Sequence, residues 1–208
     1  MSDVTRRLTE FWDERYGVGD YVYGREPNDF LVQQAARIVA PGPVLSLADG
    51  EGRNSVWLAR QGLAVTAVDV STQGLRKAHA LAREAGVDLV TVAADLTFFE
   101  MGEQQWGAIV SVFLHLPSRA RAELHARCMR ALRPGGVFIF EAYGASQLGL
   151  GTGGPKEPEL LPRLDELEAE FSGGHIVHRF EGLREVHEGR LHHGTGHVVQ
   201  LVVFRPLK

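Results

Sequence analysis

Residues 44–70, VLSLADGEGRNSVWLARQGLAVTAVDV, decide the fold. Apolar residues dominate 44–48 (VLSLA), and the glycine-rich turn ADGEG at 48–52 follows at once. Residues 53–61 (RNSVWLARQ) carry helical spacing and stop at Gly62, a residue well suited to ending a helix. A second apolar run, LAVTAVDV at 63–70, finishes on Asp69 and Val70. Strand, tight turn, helix and strand at this spacing form a βαβ unit, the repeating piece of a parallel sheet.

The same rhythm continues outward. Ser71 reads as the N-cap of a helix reaching about residue 84, with Gly86 beyond its end. Strands are expected at 87–94, 106–113 and 137–142. A helix is expected from Pro117 through 132, stopped by Pro134-Gly135-Gly136. Several of these strands are nearly continuous in apolar residues, as in sheets covered by helices on both faces. The ends differ. Residues 1–40 hold two helical patterns around the aromatic loop YGVGDYVYGREP, and 144–162 are rich in glycine and proline. A stretch that long without regular structure is usually functional or mobile. After a short helix at 164–170, β-rich segments at 175–186 and 196–205 are joined by HEGRLHHGT, an antiparallel pair. The expectation is a single α/β domain over 1–208, doubly wound, with a seven-stranded, mostly parallel sheet and an antiparallel C-terminal strand.

Composition narrows the function. The 208 residues are 44% hydrophobic and 23% charged, with a net charge of -4. That supports one full core. It lacks the basic balance of proteins that grip phosphate backbones, so no nucleic-acid partner is expected. No stretch approaches the roughly 20 apolar residues of a membrane span. The opening MSDVTRRLTEFWDERYG has no apolar run of a secretion signal, so a cytoplasmic chain is expected. The single cysteine, Cys128, sits beside Met129 in a helical pattern and reads as a small buried hydrophobe.

The turn at 48–52 follows a strand and opens a helix, the context in which a glycine-rich loop binds a ligand. A dinucleotide fingerprint G-x-G-x-x-G would fall on Ala48, Gly50 and Arg53, and two of those positions are not glycine. A-x-G-x-G instead suits a site for an amino acid joined to a nucleoside. Asp69 ends the second strand, where a carboxylate accepts from ribose hydroxyls. Asp95 ends the third strand, where it suits an exocyclic adenine amine. Gly50, Asp69 and Asp95 would then share one carboxyl edge, the ligand side of open α/β sheets.

VLSLADGEGRNSVWLARQGLAVTAVDVS, VAADL, WGAIVSVFLHLP and LRPGGVFIFEAY resemble, in order and spacing, the motifs of class I S-adenosylmethionine (SAM)-dependent methyltransferases over roughly 40–143. The segment FWDERYGVGDYVYGREPNDFL looks like the opening of the tellurite-resistance and thiopurine methyltransferase branch, where an N-terminal segment folds over SAM. The resemblance implies a Rossmann-like methyltransferase fold with four parts. These are a helical lid at 1–40, a SAM core at 41–143, a substrate loop and helix at 144–170, and a strand pair at 171–208. It implies that Ala48, Asp49, Gly50, Glu51, Gly52 and Asn54 surround the methionine part of SAM, and that Asp69 and Val70 meet the ribose. Ala94, Asp95 and Leu96 would enclose the adenine, Val112 and Phe113 would lie near the amino group, and Tyr23 and Arg25 would close the lid. The product would be S-adenosylhomocysteine. The chain departs from the pattern at Ser46, where an acid is usual, at Ala48 in place of the first glycine, at Asp49 and at Gly107. Asp49 or Glu51 is the expected substitute for the missing acid.

Methyl transfer requires a nucleophile held in line in a dry pocket. His115, Glu141 and Tyr143, after the fourth and fifth strands, are the catalytic candidates for positioning or base work. The acceptor is expected to be a small molecule, a thiol or chalcogen anion, and the enzyme a monomer or homodimer. No metal is expected, because His187, His192, His193 and His197 lack a tetrahedral ligand spacing and read as a solvated hairpin. Two other readings compete: a SAM-binding protein without catalysis, and a nicotinamide-dependent oxidoreductase.

Overall fold

The computed structural model describes residues 2–208. One sheet of seven strands carries the chain, in the order β3-β2-β1-β4-β5-β7-β6. The strands are β1 (Val44–Leu47), β2 (Val65–Asp69), β3 (Val90–Ala93), β4 (Trp106–Val112), β5 (Leu132–Tyr143), β6 (His175–Glu188) and β7 (His192–Phe204). β1 through β5 pair in parallel, whereas β7 is antiparallel to both β5 and β6. Only β7 therefore runs against the rest, as the sequence leads one to expect.

Every residue of β1 and of β4 is buried. Their continuous apolar runs meet helices on both faces, which splits the core into two layers. One layer gathers Leu45, Leu47, Ile109, Phe138, Phe140, Leu201 and Phe171. The other gathers Val44, Ala67, Val110, Ile139, Leu58 and Leu81. The helices are α1 (Asp3–Tyr16), α2 (Asp29–Gln34), α3 (Arg53–Arg60), α4 (Thr72–Ala85), α5 (Ser118–Ala131) and α6 (Leu164–Glu170). Ser71 caps α4 by accepting from the Gly74 N–H at 3.0 Å, and Gly86 closes it in the left-handed conformation. No helix among the described residues is long and apolar enough to cross a membrane.

Two boundaries differ from expectation. Pro134-Gly135-Gly136 does not follow the helix as a free turn. It lies in the irregular lead-in of β5, whose pairing with β4 shifts register between Trp106 and Ala108. The expected nine-residue connection at 187–195 shrinks to a tip at 189–191, because the ladder continues to Glu188 opposite His192. Gly194, at φ 109° within the continued ladder, hides this in the sequence, and it is followed by Gly196. A side chain there would press within 2.9 Å of the Tyr143 ring, so the glycine serves packing and the strand continues through it.

Candidate active site

The turn after β1 is built from left-handed backbone. Ala48, Gly50 and Gly52 have φ of 48°, 60° and 92°. Ala48 explains why glycine is usual at its position: an alanine there carries a left-handed cost of about 1–2 kcal/mol. Phe113, just past β4, also has positive φ, 55°. Two of the three non-glycine residues in that region thus stand at the carboxyl ends of adjacent strands. A β-carbon on Gly52 would come within 2.6 Å of Ala78 on α4, so this glycine lets α4 pack against the turn.

Asp69 is buried, and its two carboxylate oxygens accept from the Gly50 and Ser71 N–H groups at 2.8 Å each. Burial outweighs these bonds and raises its pKa to about 6. On the neighbouring strand end, Asp95 accepts from Thr97 and from Thr5 of α1, the latter at 2.7 Å. Burial pushes the Asp95 carboxyl up, but the hydroxyls of Thr97 and Thr5 outweigh it and hold it below the usual range. Leu96 beside it lines a groove of about 220 Å³ with Thr97, Leu116, Leu124 and Arg127.

Asp49 turns beneath the loop. Ser46 donates to one of its oxygens at 2.6 Å and Ser55 to the other at 2.5 Å. Burial raises its pKa, against both hydroxyls. The carboxylate of Asp49 therefore rests against Ser46, the position where the family resemblance expects an acid. Glu51 does not turn to the loop's ligand side. It accepts from the Val22 and Tyr23 N–H groups and pairs with Lys77 at 2.8 Å, which fastens the N-terminal segment to α4.

α1 lies across this edge. Thr5 meets Asp95, Asp13 accepts from Ser71 and from the Gln73 N–H, and Tyr16 stands over Gly50. Tyr16 stacks on Trp12 at 5.4 Å and meets Tyr23 at 6.2 Å. Burial first, then Asp69, pushes its pKa well up. Arg25 faces outward, paired with Glu84 and lying over the Tyr21 ring, away from the loop. Asn54 accepts from the Asn28 N–H at 2.9 Å and so braces α2.

A second cluster forms around Tyr143. Phe113 lies 4.7 Å from its ring and His115 6.1 Å, nearly parallel at 10°. His192, at the start of β7, meets Tyr23 and Phe113 at 4.6 Å and Tyr143 at 5.2 Å. Burial lowers the His115 pKa to about 4 and that of His192, with Arg53 beside it, to about 3. The glycine-rich strap is pinned here. Tyr143 Oη donates to the Thr152 carbonyl at 2.9 Å, and Gln147 Nε2 donates to Thr152 Oγ1 at 2.8 Å.

Glu141 is not in this cluster. It is fully buried in an ionic network with Arg184, Gln200 and Asn28, which also takes in Glu188 and Arg53. Burial raises the Glu141 pKa. Glu188 is pushed up by burial too, but Arg53 and Arg184 outweigh that and hold it down. The structure thus brings together Ala48, Asp49, Gly50, Gly52, Asp69 and Val70 with Ala94, Asp95 and Leu96. It gathers Val112, Phe113, His115, Tyr143 and Tyr23 on the adjoining side. Glu51, Asn54, Arg25 and Glu141 serve other contacts. The buried ring missed in the sequence is His192. Its signal was the alternation of the β7 run, obscured by Gly194, Gly196 and three neighbouring histidines.

Residues 44–136 match the family described as a methyltransferase domain. No curated protein matches the chain in sequence. Several solved structures share its fold. One comes from work on conversion of a disulfide bond into a thioacetal group during echinomycin biosynthesis: TM-score 0.78, 20% identity, covering 97% of this chain and 93% of that one. TehB from Haemophilus influenzae gives a TM-score of 0.70 at 17% identity, with 95% and 67% covered. Geranyl diphosphate C-methyltransferase from Streptomyces coelicolor A3(2), in complex with Mg2+, geranyl diphosphate and S-adenosyl-L-homocysteine, gives 0.69 at 12% identity, with 98% of each chain covered. At such identities the likeness is one of fold. The methyltransferase-domain match, 93 of the 208 residues, thus lies on a fold that these solved structures share.

Proposed function

We propose that this enzyme moves the SAM methyl group to a small-molecule acceptor, a thiol or chalcogen anion, across the carboxyl edge of β1, β2, β4 and β5. The observation that carries the reading is the pair Asp69 and Asp95 on adjacent strand ends beside the left-handed turn at 48–52. The donor set suits the cofactor: a buried carboxylate for a diol, a half-buried one for an amine, and a left-handed glycine turn beside them under Tyr16. SAM supplies a methyl on a sulfonium, an electrophile that needs no further activation.

The residues then divide the work. Asp69 with Val70 holds the ribose. Asp95, Ala94 and Leu96 hold the adenine, and Ala48, Gly50 and Gly52 border the methionine. Asp49, lying against Ser46, supplies the negative charge for the ammonium group, and Val112 and Phe113 flank it. Residues 2–40 act as a lid, and the seat of Thr5 and Tyr16 on these acids supports the likeness to the tellurite-resistance branch. Residues 144–170 bound the acceptor side, where His115 and Tyr143 position the nucleophile. The proposal includes a cytoplasmic setting, no nucleic-acid or membrane partner, and a monomer or homodimer. Isothermal titration tests it. S-adenosylhomocysteine is expected to bind and NADH not to; binding of NADH, or none of S-adenosylhomocysteine, overturns it.

A further inference from the structure

Two imidazoles at this edge each hold a buried nitrogen with no hydrogen-bond partner among the described residues: Nε2 of His115 and Nδ1 of His192. Leaving such an atom unpaired costs about 1–3 kcal/mol, so two in one cluster require a reason. The state of His115 can be deduced. Its Nδ1 lies 3.2 Å from the Leu160 carbonyl, which only accepts, so Nδ1 carries the hydrogen. Nε2 of the neutral ring is then a bare lone pair. It needs a donor.

The surroundings say what kind of donor. The rings of Tyr23, Phe113, Tyr143 and His192 form an apolar enclosure. The strap closes on it through glycines: a β-carbon at Gly153 would come within 2.6 Å of His192, and one at Gly154 within 2.8 Å of Tyr143. The charged and titratable groups facing His192 are Arg53, Glu188, His115 and Arg15. Arg53 is neutralised by Glu188 at 2.5 Å, and Arg15 donates to the Tyr23 hydroxyl. Both imidazoles are neutral near pH 7. An oxyanion placed against His115 Nε2 would face its lone pair and bring no hydrogen to it, so its burial there would cost several kcal/mol. A neutral X–H group would satisfy Nε2 and bury its apolar body against the rings.

We propose that this ring cluster is the acceptor subsite and that it selects an uncharged thiol on an apolar body, whose S–H donates to His115 Nε2. The inference rests on the methyltransferase reading and narrows it, setting aside the chalcogen anion. In the step, the thiol sulfur forms a bond to the methyl carbon as the sulfonium–methyl bond breaks. The thiol hydrogen passes to His115 Nε2. The positive charge leaves the sulfonium and ends on the imidazolium, steadied by the Leu160 carbonyl. A weakly basic imidazole suffices, because a sulfur taking on a methyl loses its proton readily. His192 acts as a positioning residue that sets the thiol's body against Phe113 and Tyr143.

The test uses the full chain loaded with S-adenosylhomocysteine and imidazole 15N resonances as the readout. Phenylmethanethiol, uncharged at pH 7, is expected to shift the His115 Nε2 signal, and selenite is not. A shift with selenite, or none with phenylmethanethiol, overturns the inference. In turnover with SAM, His115→Phe keeps the ring volume and is expected to lower kcat toward phenylmethanethiol about a hundredfold, the scale of general-base contributions. S-adenosylhomocysteine affinity should stay within about twofold, since the substitution leaves the cofactor residues untouched. An unchanged kcat, or no transfer to this thiol by the parent enzyme, refutes the acceptor class. Loss of S-adenosylhomocysteine binding by the parent strikes the methyltransferase reading instead.

Discussion

Asp69→Asn should remove a pH-dependent part of the protein's stability and weaken the cofactor complex. Burial raises the Asp69 pKa from 3.8 to about 6. The native state therefore holds this proton more tightly than the unfolded chain does. The stabilising effect is complete below about pH 3.8, is lost as pH rises through about 6, and is absent above. The difference between 3.8 and about 6 corresponds to about 3 kcal/mol. The bonds from Gly50 and Ser71 already oppose the burial effect within that value. Asparagine matches the neutral acid in shape, but its amide nitrogen cannot accept, so one of the two backbone N–H groups loses its partner at about 1–3 kcal/mol. Measured against the parent, the variant should be less stable by about 1–3 kcal/mol at pH 4 and should recover about 3 kcal/mol of that difference by pH 8, roughly 6–12 °C in Tm. In the proposed complex the same change removes a charged acceptor from the ribose, worth about 1.5–3 kcal/mol, and should weaken S-adenosylhomocysteine binding about ten- to a hundredfold. Thermal unfolding from pH 4 to 8 and calorimetric titration read both effects. Parent and variant stability curves that stay parallel would refute the burial argument. An unchanged Kd would refute the ribose assignment.

Three further perturbations follow from the geometry. Ala48→Gly relieves a left-handed alanine and should stabilise the fold by about 1 kcal/mol in urea unfolding; a neutral or destabilising result contradicts the strain at φ 48°. Gly52→Ala drives a β-carbon to 2.6 Å from Ala78 and should cost about 2–3 kcal/mol, read as a lower urea midpoint. Glu188→Ala leaves Arg53 buried without its carboxylate and should cost about 3–5 kcal/mol, whereas a loss below 1 kcal/mol would mean the network is solvated.

The legible part of the fold is the part in which sequence neighbours do the work. Strands β1 and β4 are buried on both faces, so their runs are apolar without a break and stand out in the chain. Asp69 and Asp95 are legible for the same reason, because each ends such a run. What the sequence concealed depends on folding back. The contact of Asp49 with Ser46 and Ser55 arises from how the turn curls under itself. Glu141 sits at a strand end like the other acids, yet Arg184 and Asn28 reach it from β6 and from the start of α2. The glycine-rich strap looked loose by composition. Its order comes from Gln147 and Thr152, two ordinary polar residues whose partners lie on β5 and β7.

The reversed strand β7 has a consequence for how the molecule assembles. It follows every other strand in sequence, yet it lies inside the sheet between β5 and β6. A chain emerging from its N-terminus can bring β1 through β5 together before β7 is made. Until β7 arrives, the β5 edge is unpaired and its apolar face is uncovered. Such an edge is prone to pairing with other chains. Insertion of the final hairpin is therefore the step that covers this edge, and the same hairpin brings His192 against Tyr143.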